Sequence, residues 1–430
     1  MPSHPRRAPV WLMGLSNATF GLVGGFIVLP LPQLLAAEGF SEARIAAVGA
    51  ACLSPGFWVF LLGPILDLRF TRRFYASFFA ILAGLGLFIA IAVSQNLHAH
   101  LLIFESAVMT SYAAAVLSSN AIGGWFGAIL PEMATNDHDD PNHEAARLSA
   151  WTQVGSFLGG GAMAVLPSEL LRLLPLHLAA ALLGALVILP AAVFPWVPLP
   201  RVVRISLTLR DAQESFRALF LELKTLLTRR EVLLTMLLFV APTGAFALTN
   251  QLTGVARDFH ASDAFVSRIG GTVLSCAGAA VCLLVPILAR WIKPLPLYLL
   301  IGTTGSLFTL ALLLLPRTPA TFAFAFMIEN VMQALSFTAA VAISFTTIGG
   351  DNPLAATQFS LLTSATVLPI LYMGVLDGRT YNGLASFHGL NAMYAVDGCI
   401  SLASCIAMAL LLRKVPLLVK RAPADVAASV

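Results

Sequence analysis

Two glutamates lie inside long apolar stretches, and they are the first residues whose chemistry stands out. Glu105 lies in the stretch 104–109 and Glu329 lies in the stretch 328–333. An ionised carboxylate in such surroundings is unfavourable unless it is paired or faces water, and no lysine or arginine within the apolar stretches is placed to pair with either. We expect Glu329, and after it Glu105, to bind and release a proton or to contact a substrate. The simpler alternative is a neutral acid that is hydrogen-bonded to a neighbouring helix.

Amide side chains interrupt similar apolar stretches at several places. Amides that converge in an apolar environment suit the binding of a polar, hydrogen-bonding solute, although each amide alone is equally well explained as a bond between two helices. The candidates for lining such a cavity are Asn17, Gln33, Asn120, Asn250, Gln251, Asn330 and Gln333.

The other reactive residue types give weaker signals. The loop 131–146 is rich in acids and histidines, but no two of them share a predicted helical face, so a solvated loop is favoured over a metal site. The eight histidines lie at termini and in loops, which disfavours an intramembrane enzyme. The five cysteines lie in apolar stretches without metal-type spacing. We therefore expect no catalytic residue, no bound metal and no cofactor.

The elements that hold these residues must be membrane-spanning helices. The chain has 430 residues, of which 58% are hydrophobic and 11% are charged, whereas soluble domains carry roughly 25% charged residues. A helix needs about 20 apolar residues to cross a bilayer, and the apolar stretches are too long and continuous for barrel strands. The predicted crossings are 10–35, 44–66, 74–95, 99–126, 148–167, 174–196, 231–255, 265–289, 296–315, 319–346, 354–376 and 391–412.

Internal repeats divide the chain into two halves. Residues 61–66 recur at 283–288 with an offset of 222, the stretch around Glu105 recurs around Glu329, and Gln33-Leu34 recurs at Gln251-Leu252. Such offsets indicate a duplicated unit. The sequence thus predicts an all-α membrane protein with twelve transmembrane helices in two pseudo-symmetric six-helix halves. The halves are 1–196 and 231–430, and 197–230 is a cytoplasmic linker with an amphipathic helix.

Basic residues predict the orientation. The loops on the side of the termini hold 19 lysines and arginines, against six on the other side, so both termini are expected in the cytoplasm. The net charge of +4 needs no nucleic-acid partner, because this asymmetry accounts for it.

A short loop after the second crossing carries a concentrated group of charges, namely Asp67, Arg69, Arg72 and Arg73. The eleventh crossing follows 349–353, where a cap is followed by Pro353 at the expected first helical position. We expect Asp67 to act as the counter-charge to that helix N-terminus and to steady a state closed at the cytoplasmic side. The arginines should contact Asp67 or lipid phosphates, and lipid anchoring is favoured for Arg72 and Arg73.

The stretch from Gly63 to Arg73, together with the doubled architecture, resembles the major facilitator superfamily of secondary transporters. A closer resemblance runs through 39–67, Glu329-Asn330, Ala339-Ala340 and 355–362, and it is to the branch that contains the AmpG-like muropeptide permeases, acetyl-CoA transporters and some siderophore permeases. The chain departs from that branch where the branch carries intramembrane charges, because Val59, Thr110 and Pro242 are uncharged.

The resemblance implies a permease of the bacterial inner membrane that takes up a muropeptide, acyl-CoA or siderophore-like solute by alternating access. Protons are the expected coupling ion, because acids are the only intramembrane charges. Small-molecule substrate, protons and membrane lipid are the permease's expected partners, and a monomer is the expected state. Efflux of a drug or metabolite on the same fold is one alternative, and a non-transporting membrane sensor is another. No ATP-binding loop of the Gly-x-x-x-x-Gly-Lys-[Ser/Thr] kind is present, and this favours an ion gradient as the energy source.

Overall fold

The structure is a computed structural model. It describes residues 8–133, 140–200, 220–221, 223–243, 246, 249, 254–262, 265–266, 269–350, 352–383 and 389–413. The described chain is helical throughout, as expected where backbone polar groups have no water to bond with.

The first half contains six crossings. The first is broken into α1 (Val10–Leu15), α2 (Ala18–Val28) and α3 (Pro30–Ala37), and the second comprises α4 (Glu42–Leu53), α5 (Pro55–Trp58) and a 3-10 segment, Val59–Asp67. The remaining four are α6 (Arg72–Ala92), α7 (Leu97–Met133), α8 (Pro141–Leu173) and α9 (Leu176–Ile188), which a 3-10 segment extends to Trp196. Thr71 caps α6 by accepting from the Phe74 N–H at 2.9 Å, and Asp140 caps α8 in the same way.

The second half begins with α10 (Arg230–Val240). The next crossing is a π-helical segment, Ile269–Val273, followed by α11 (Leu274–Cys282) and α12 (Leu284–Leu288). Then follow α13 (Pro294–Ala311), α14 (Pro319–Ile348), α15 (Ala355–Gly383) and α16 (Gly389–Arg413).

The described helices agree with a fold of twelve crossings. Ten stretches are long and apolar enough to span a membrane, and one of them, Arg72–Met133, holds two antiparallel helices. In that pair, Ser111 and Ser118 on α7 donate to the carbonyls of Ala83 and Ala76 on α6. The seventh crossing ends its helix at Val240, and most of its remainder lies outside the described residues. The fifth begins at Pro141 rather than near residue 148, because Asp140 and Pro141 start the helix earlier.

The predicted linker 197–230 lies largely outside the described residues. Residues 220–221 and 223–228 are helical, and Leu226 is buried beside Val232 and Leu354. The division into 1–196, 197–230 and 231–430 stays a prediction.

A core shared by the two halves lies at one end of the bundle. We call this the Asp67 end; α7 and α14 end there, and α8 and α15 begin there. Side chains from both halves, among them Leu66, Trp125, Phe345 and Phe359, form one hydrophobic cluster at this end. Toward the opposite end the clusters separate, because one holds residues of the first half and another holds residues of the second. A second shared cluster, in which Val154 packs with Ala279, Cys282 and Ala334, joins the halves in the middle of the bundle. The described halves are therefore joined at the Asp67 end and in the middle, and they form separate clusters toward the other end.

Candidate functional site

A cavity of about 190 Å³ lies between the two halves. Helices α2, α5, α7 and α8 line it from the first half, and α14 and α15 line it from the second. Ten of its lining side chains carry a hydroxyl or an amide, which are Asn17, Tyr112, Ser119, Asn120, Thr152, Gln153, Ser344, Thr363, Ser364 and Thr366.

Several polar atoms in this cavity have no protein partner among the described residues. The Asn17 amide donates to Ser156 Oγ at 3.0 Å, but its Oδ1 atom is buried and accepts no hydrogen bond. Gln153 and Tyr112 also line the cavity, and their side chains make no described hydrogen bond. Asn17 Oδ1 has almost no accessible surface, whereas the Gln153 amide is partly exposed. Gln153 is therefore the group that a bound molecule can reach.

Aromatic rings form much of the apolar lining. The rings of Phe20 and Tyr112 lie 6.0 Å apart between centroids, and Phe337 and Phe359 line the cavity from the other half. The sequence does not single out Phe20, Phe337 and Phe359, because composition does not show which helix face points inward.

Close backbone contact closes the cavity toward the Asp67 end. A Cβ added to Gly124 would lie 2.3 Å from Ala356 Cα, and one added to Gly123 would lie 2.2 Å from the Phe359 ring. Asn120 donates to Ser360 Oγ at 2.9 Å across the same contact. Glycine is thus required where α7 meets α15, and this contact seals the bundle.

Asp67 sits at the start of α15, in the opposite half of the chain. Its carboxylate accepts from the N–H groups of Ala356 at 3.2 Å and Thr357 at 2.8 Å, and from Thr357 Oγ1 at 2.8 Å. These N–H groups belong to the first turn, which has no helical acceptors of its own. Asp67 therefore caps a helix of the other half. The helix starts at Ala355, whereas Pro353 lies in a preceding turn and not at the first helical position.

Arg72 completes this contact, and the expectation that it anchors to lipid is wrong. Its Nε donates to Asp67 Oδ1 at 2.8 Å, and its Nη2 donates to the carbonyls of Asn352 and Pro353 at 3.2 and 3.0 Å. The buried carboxylate draws the guanidinium inward, which spacing along the chain cannot reveal. Arg69 is exposed and lies 5.3 Å from the Phe70 ring centroid. Arg73 makes no described side-chain contact and stays available for lipid.

Glu329 is buried within the second half. It lies on α14 with 1% of its surface exposed, and Thr309 on α13 donates to its Oε1 atom. The other oxygen, Oε2, has no partner among the described residues. The side chain therefore faces α13 and does not line the central cavity.

Two further acids lie beside Glu329, and the three together are called the acid cluster. Asp377 on α15 is fully buried, and neither of its oxygens has a described partner. Asp397 on α16 is 5% exposed and borders a small cavity that Thr309 also lines. Both interact electrostatically with Glu329. Both aspartates lie within eight residues of the helix end that is opposite the Asp67 end, and neither lines the central cavity. No described lysine or arginine forms an ion pair with the cluster.

The other candidates are spread more widely. Glu105 is half-buried on α7, two turns from Tyr112 on the same helix face, and it does not line the cavity. Among the amides, Asn17 and Asn120 line the cavity, whereas Gln33 is exposed and outside it. Asn330 and Gln333 lie beyond its lining as well, and Gln333 donates to the Phe246 carbonyl at 3.5 Å. Asn250 and Gln251 lie outside the described residues.

The acidic loop 131–146 is described only at its ends. Residues 131–133 finish α7, and 141–146 form the first turns of α8. Within α8, Glu144 accepts from Arg147 at 2.7 Å. No group of acids, histidines or cysteines among the described residues could hold a metal ion.

Solved structures share this fold. The proton:xylose symporter XylE bound to 6-bromo-6-deoxy-D-glucose aligns with a TM-score of 0.63 and 13% identity over 94% of this chain and 96% of that chain. The transporter FucP in its outward conformation aligns with a TM-score of 0.64 and 14% identity, covering 93% of this chain and 98% of that one. The human organic anion transporter MFSD10 aligns with a TM-score of 0.59 and 16% identity, and the alignment covers 93% of this chain and 98% of that one.

The chain therefore has the major facilitator fold of a multi-pass membrane protein. No protein-family model matches the sequence, and no curated protein matches it. At these identities the likeness shows the fold, and the branch with AmpG-like permeases stays a resemblance.

Proposed function

We propose that this protein is a secondary transporter that moves a small polar molecule across a membrane by alternating access and couples that movement to protons. The observation that carries the proposal is the central cavity, which lies between two halves that share a core at one end and form separate clusters toward the other. A transporter of this kind must break the contacts at one end and form contacts at the other, so that the cavity faces each side in turn.

Proton coupling is supported by the acid cluster. Three buried carboxyl groups without a described cationic partner cannot all be anionic at low cost, so binding of protons is the chemistry that this cluster offers. Glu329 is the member with an assigned partner, because Thr309 donates to its Oε1 atom and its side chain is 1% exposed. Glu105, on the face of α7 that carries Tyr112, remains a second candidate for binding a proton.

The cellular setting follows from the sequence. We propose uptake by a monomer in the bacterial cytoplasmic membrane, with both termini in the cytoplasm and the Asp67 end facing inward. In that orientation the described state is open outward, and Asp67 with Arg72 holds the inner side closed. A muropeptide, an acyl-CoA or a siderophore-like solute remains the substrate implied by the resemblance alone. No nucleic acid or enzymatic activity is part of the proposal.

The coupling role of Glu329 can be tested before a substrate is known. Spin labels at Leu173→Cys and Leu314→Cys, two exposed positions at the open end, would report the separation of the halves in nanodiscs. We expect the distance distribution of the parent protein to differ between acidic and alkaline buffer. Glu329→Gln, which mimics the protonated acid, should hold one distribution at both.

Glu169→Gln is the matched control. The Glu169 side chain lies near the end of α8, is 52% exposed and is 3.8 Å from its charged partner, Arg172. The Glu169→Gln substitution should therefore leave the pH response intact. A full pH response in Glu329→Gln would remove this residue from the coupling mechanism.

A further inference from the structure

No described residue that lines the central cavity is charged, and this bears on what the cavity can bind. None of its 19 described lining residues is an aspartate, glutamate, lysine, arginine or histidine. The acid cluster does not alter this, because Glu329 faces Thr309 within the second half. The groups proposed to bind protons and the groups that line the cavity are therefore separate.

The part of the seventh crossing that the structure does not describe adds no charge. From Val232 to Ala256 the sequence contains no acidic, basic or histidine residue. A bound anion or cation in the cavity would thus find no counter-charge on any of these elements. Transfer of an unpaired charge out of water is strongly unfavourable, and a binding site for a carboxylate or a phosphate normally supplies an arginine, a lysine or a helix N-terminus.

The cavity instead offers neutral partners. The Gln153 amide, which is partly exposed, can both donate and accept. The rings of Phe20, Tyr112 and Phe359 present apolar faces beside it. The volume of 190 Å³ is below the roughly 300–1,000 Å³ of drug-sized ligand pockets.

We propose that the cavity binds a small uncharged solute that forms hydrogen bonds with the Gln153 amide and places an apolar face against the aromatic rings. The inference rests on the proposed transport function, and it narrows the substrate class to neutral molecules. Acyl-CoAs, with their phosphates, and muropeptides, with their carboxylates, do not fit such a lining.

The experiment measures the thermal stability of the purified full-length protein in detergent with neutral and anionic members of matched pairs. The pairs are D-glucose with D-glucuronate, N-acetylglucosamine with N-acetylmuramic acid, and nicotinamide with nicotinate, and coenzyme A is added as a multiply charged probe. We expect the neutral member of at least one pair to raise the Tm and to bind at least about tenfold more tightly than its anionic partner, a difference equivalent to about 1.4 kcal/mol.

Two variants separate specific binding from general stabilisation. Gln153→Ala removes an amide that has no described protein partner, so the substitution should leave the fold intact. It should weaken binding of the neutral probe about fivefold, which is the effect of one lost hydrogen bond. Gln95→Ala removes an exposed glutamine between α6 and α7 and should have no effect on binding.

The proposal is overturned if an anionic probe binds as tightly as its neutral partner, if coenzyme A alone binds, or if no neutral probe binds. It is also overturned if Gln153→Ala binds the neutral probe like the parent protein. These measurements use no gradient and no variant of Glu329. A failure of proton coupling would leave the binding result unchanged, and a failure of neutral binding would leave the pH response of the conformation unchanged.

Discussion

Replacing Asp67 by asparagine should weaken the closed state at the Asp67 end without changing side-chain shape. The carboxylate accepts from Arg72, from two backbone N–H groups and from the Thr357 hydroxyl. Asparagine keeps one oxygen acceptor but loses the charge. All of these partners except Arg72 belong to the other half, so the contacts exist only while this end is closed.

The size of the effect follows from those contacts. Hydrogen bonds to a charged group are worth about 1.5–3 kcal/mol against about 0.5–1.5 kcal/mol for neutral ones. A charge at a partly buried helix end contributes up to about 2 kcal/mol. Arg72 keeps its bonds to the carbonyls of Asn352 and Pro353, which limits the loss. We expect a net loss of about 2–3 kcal/mol, or about a 30- to 150-fold shift from closed to open at this end.

Pulsed electron spin resonance distances provide the assay. Labels at Phe70→Cys and Trp291→Cys, both exposed, lie in loops of the two halves, and the exposed Cys276 and Cys399 are first replaced by serine. Asp67→Asn should increase the population with long distances. Arg73→Gln removes one charge from the same segment without a described partner and should not. An unchanged distribution in Asp67→Asn, or an equal shift in Arg73→Gln, would refute the reasoning.

Two glycine substitutions extend the test. Gly124→Ala places a Cβ 2.3 Å from the Ala356 backbone in the opposite half, so it should prevent closure at the Asp67 end and give the long-distance population of the same label pair. Gly302→Ala places a Cβ 1.7 Å from the Thr243 carbonyl within the second half, so it should lower the thermal stability instead, at a cost of about 1–3 kcal/mol or more. Gly49→Ala, whose Cβ would meet nothing within 4 Å, is the control for both and should change neither measurement. Normal closure in Gly124→Ala, or unchanged stability in Gly302→Ala, would show that the described packing relaxes freely.

The fold could be predicted from the sequence because its signals are one-dimensional. Long apolar stretches fix the number of crossings, and a duplication appears as a constant offset. The position of Asp67 beside α15 was also within reach, since turn residues mark where that helix starts and a helix N-terminus attracts an anion. The inward orientation of the Arg72 side chain could not be predicted, because it depends on how close residues 352–353 come to a segment about 280 residues earlier in the chain.

The site was harder to predict, because sequence gives the depth of a residue along a helix but not the direction in which its side chain points. Asp377 and Asp397 lie only a few residues from the ends of their helices, yet both are buried beside Glu329. Among the amides, Asn17 faces the cavity whereas Gln33 is exposed. The same ambiguity hides the cavity-facing phenylalanines, because aromatic side chains are common on every face of a membrane helix.

The most direct test of the account is solute accumulation in proteoliposomes. A neutral probe that binds in the thermal assay is supplied outside, with and without an inward proton gradient, to vesicles that contain the parent protein or Glu329→Gln. We expect the parent protein to accumulate the probe above its outside concentration only with the gradient, and Glu329→Gln to equilibrate the probe without accumulating it. Gradient-driven accumulation by Glu329→Gln, or no movement of the probe by the parent, would contradict the account.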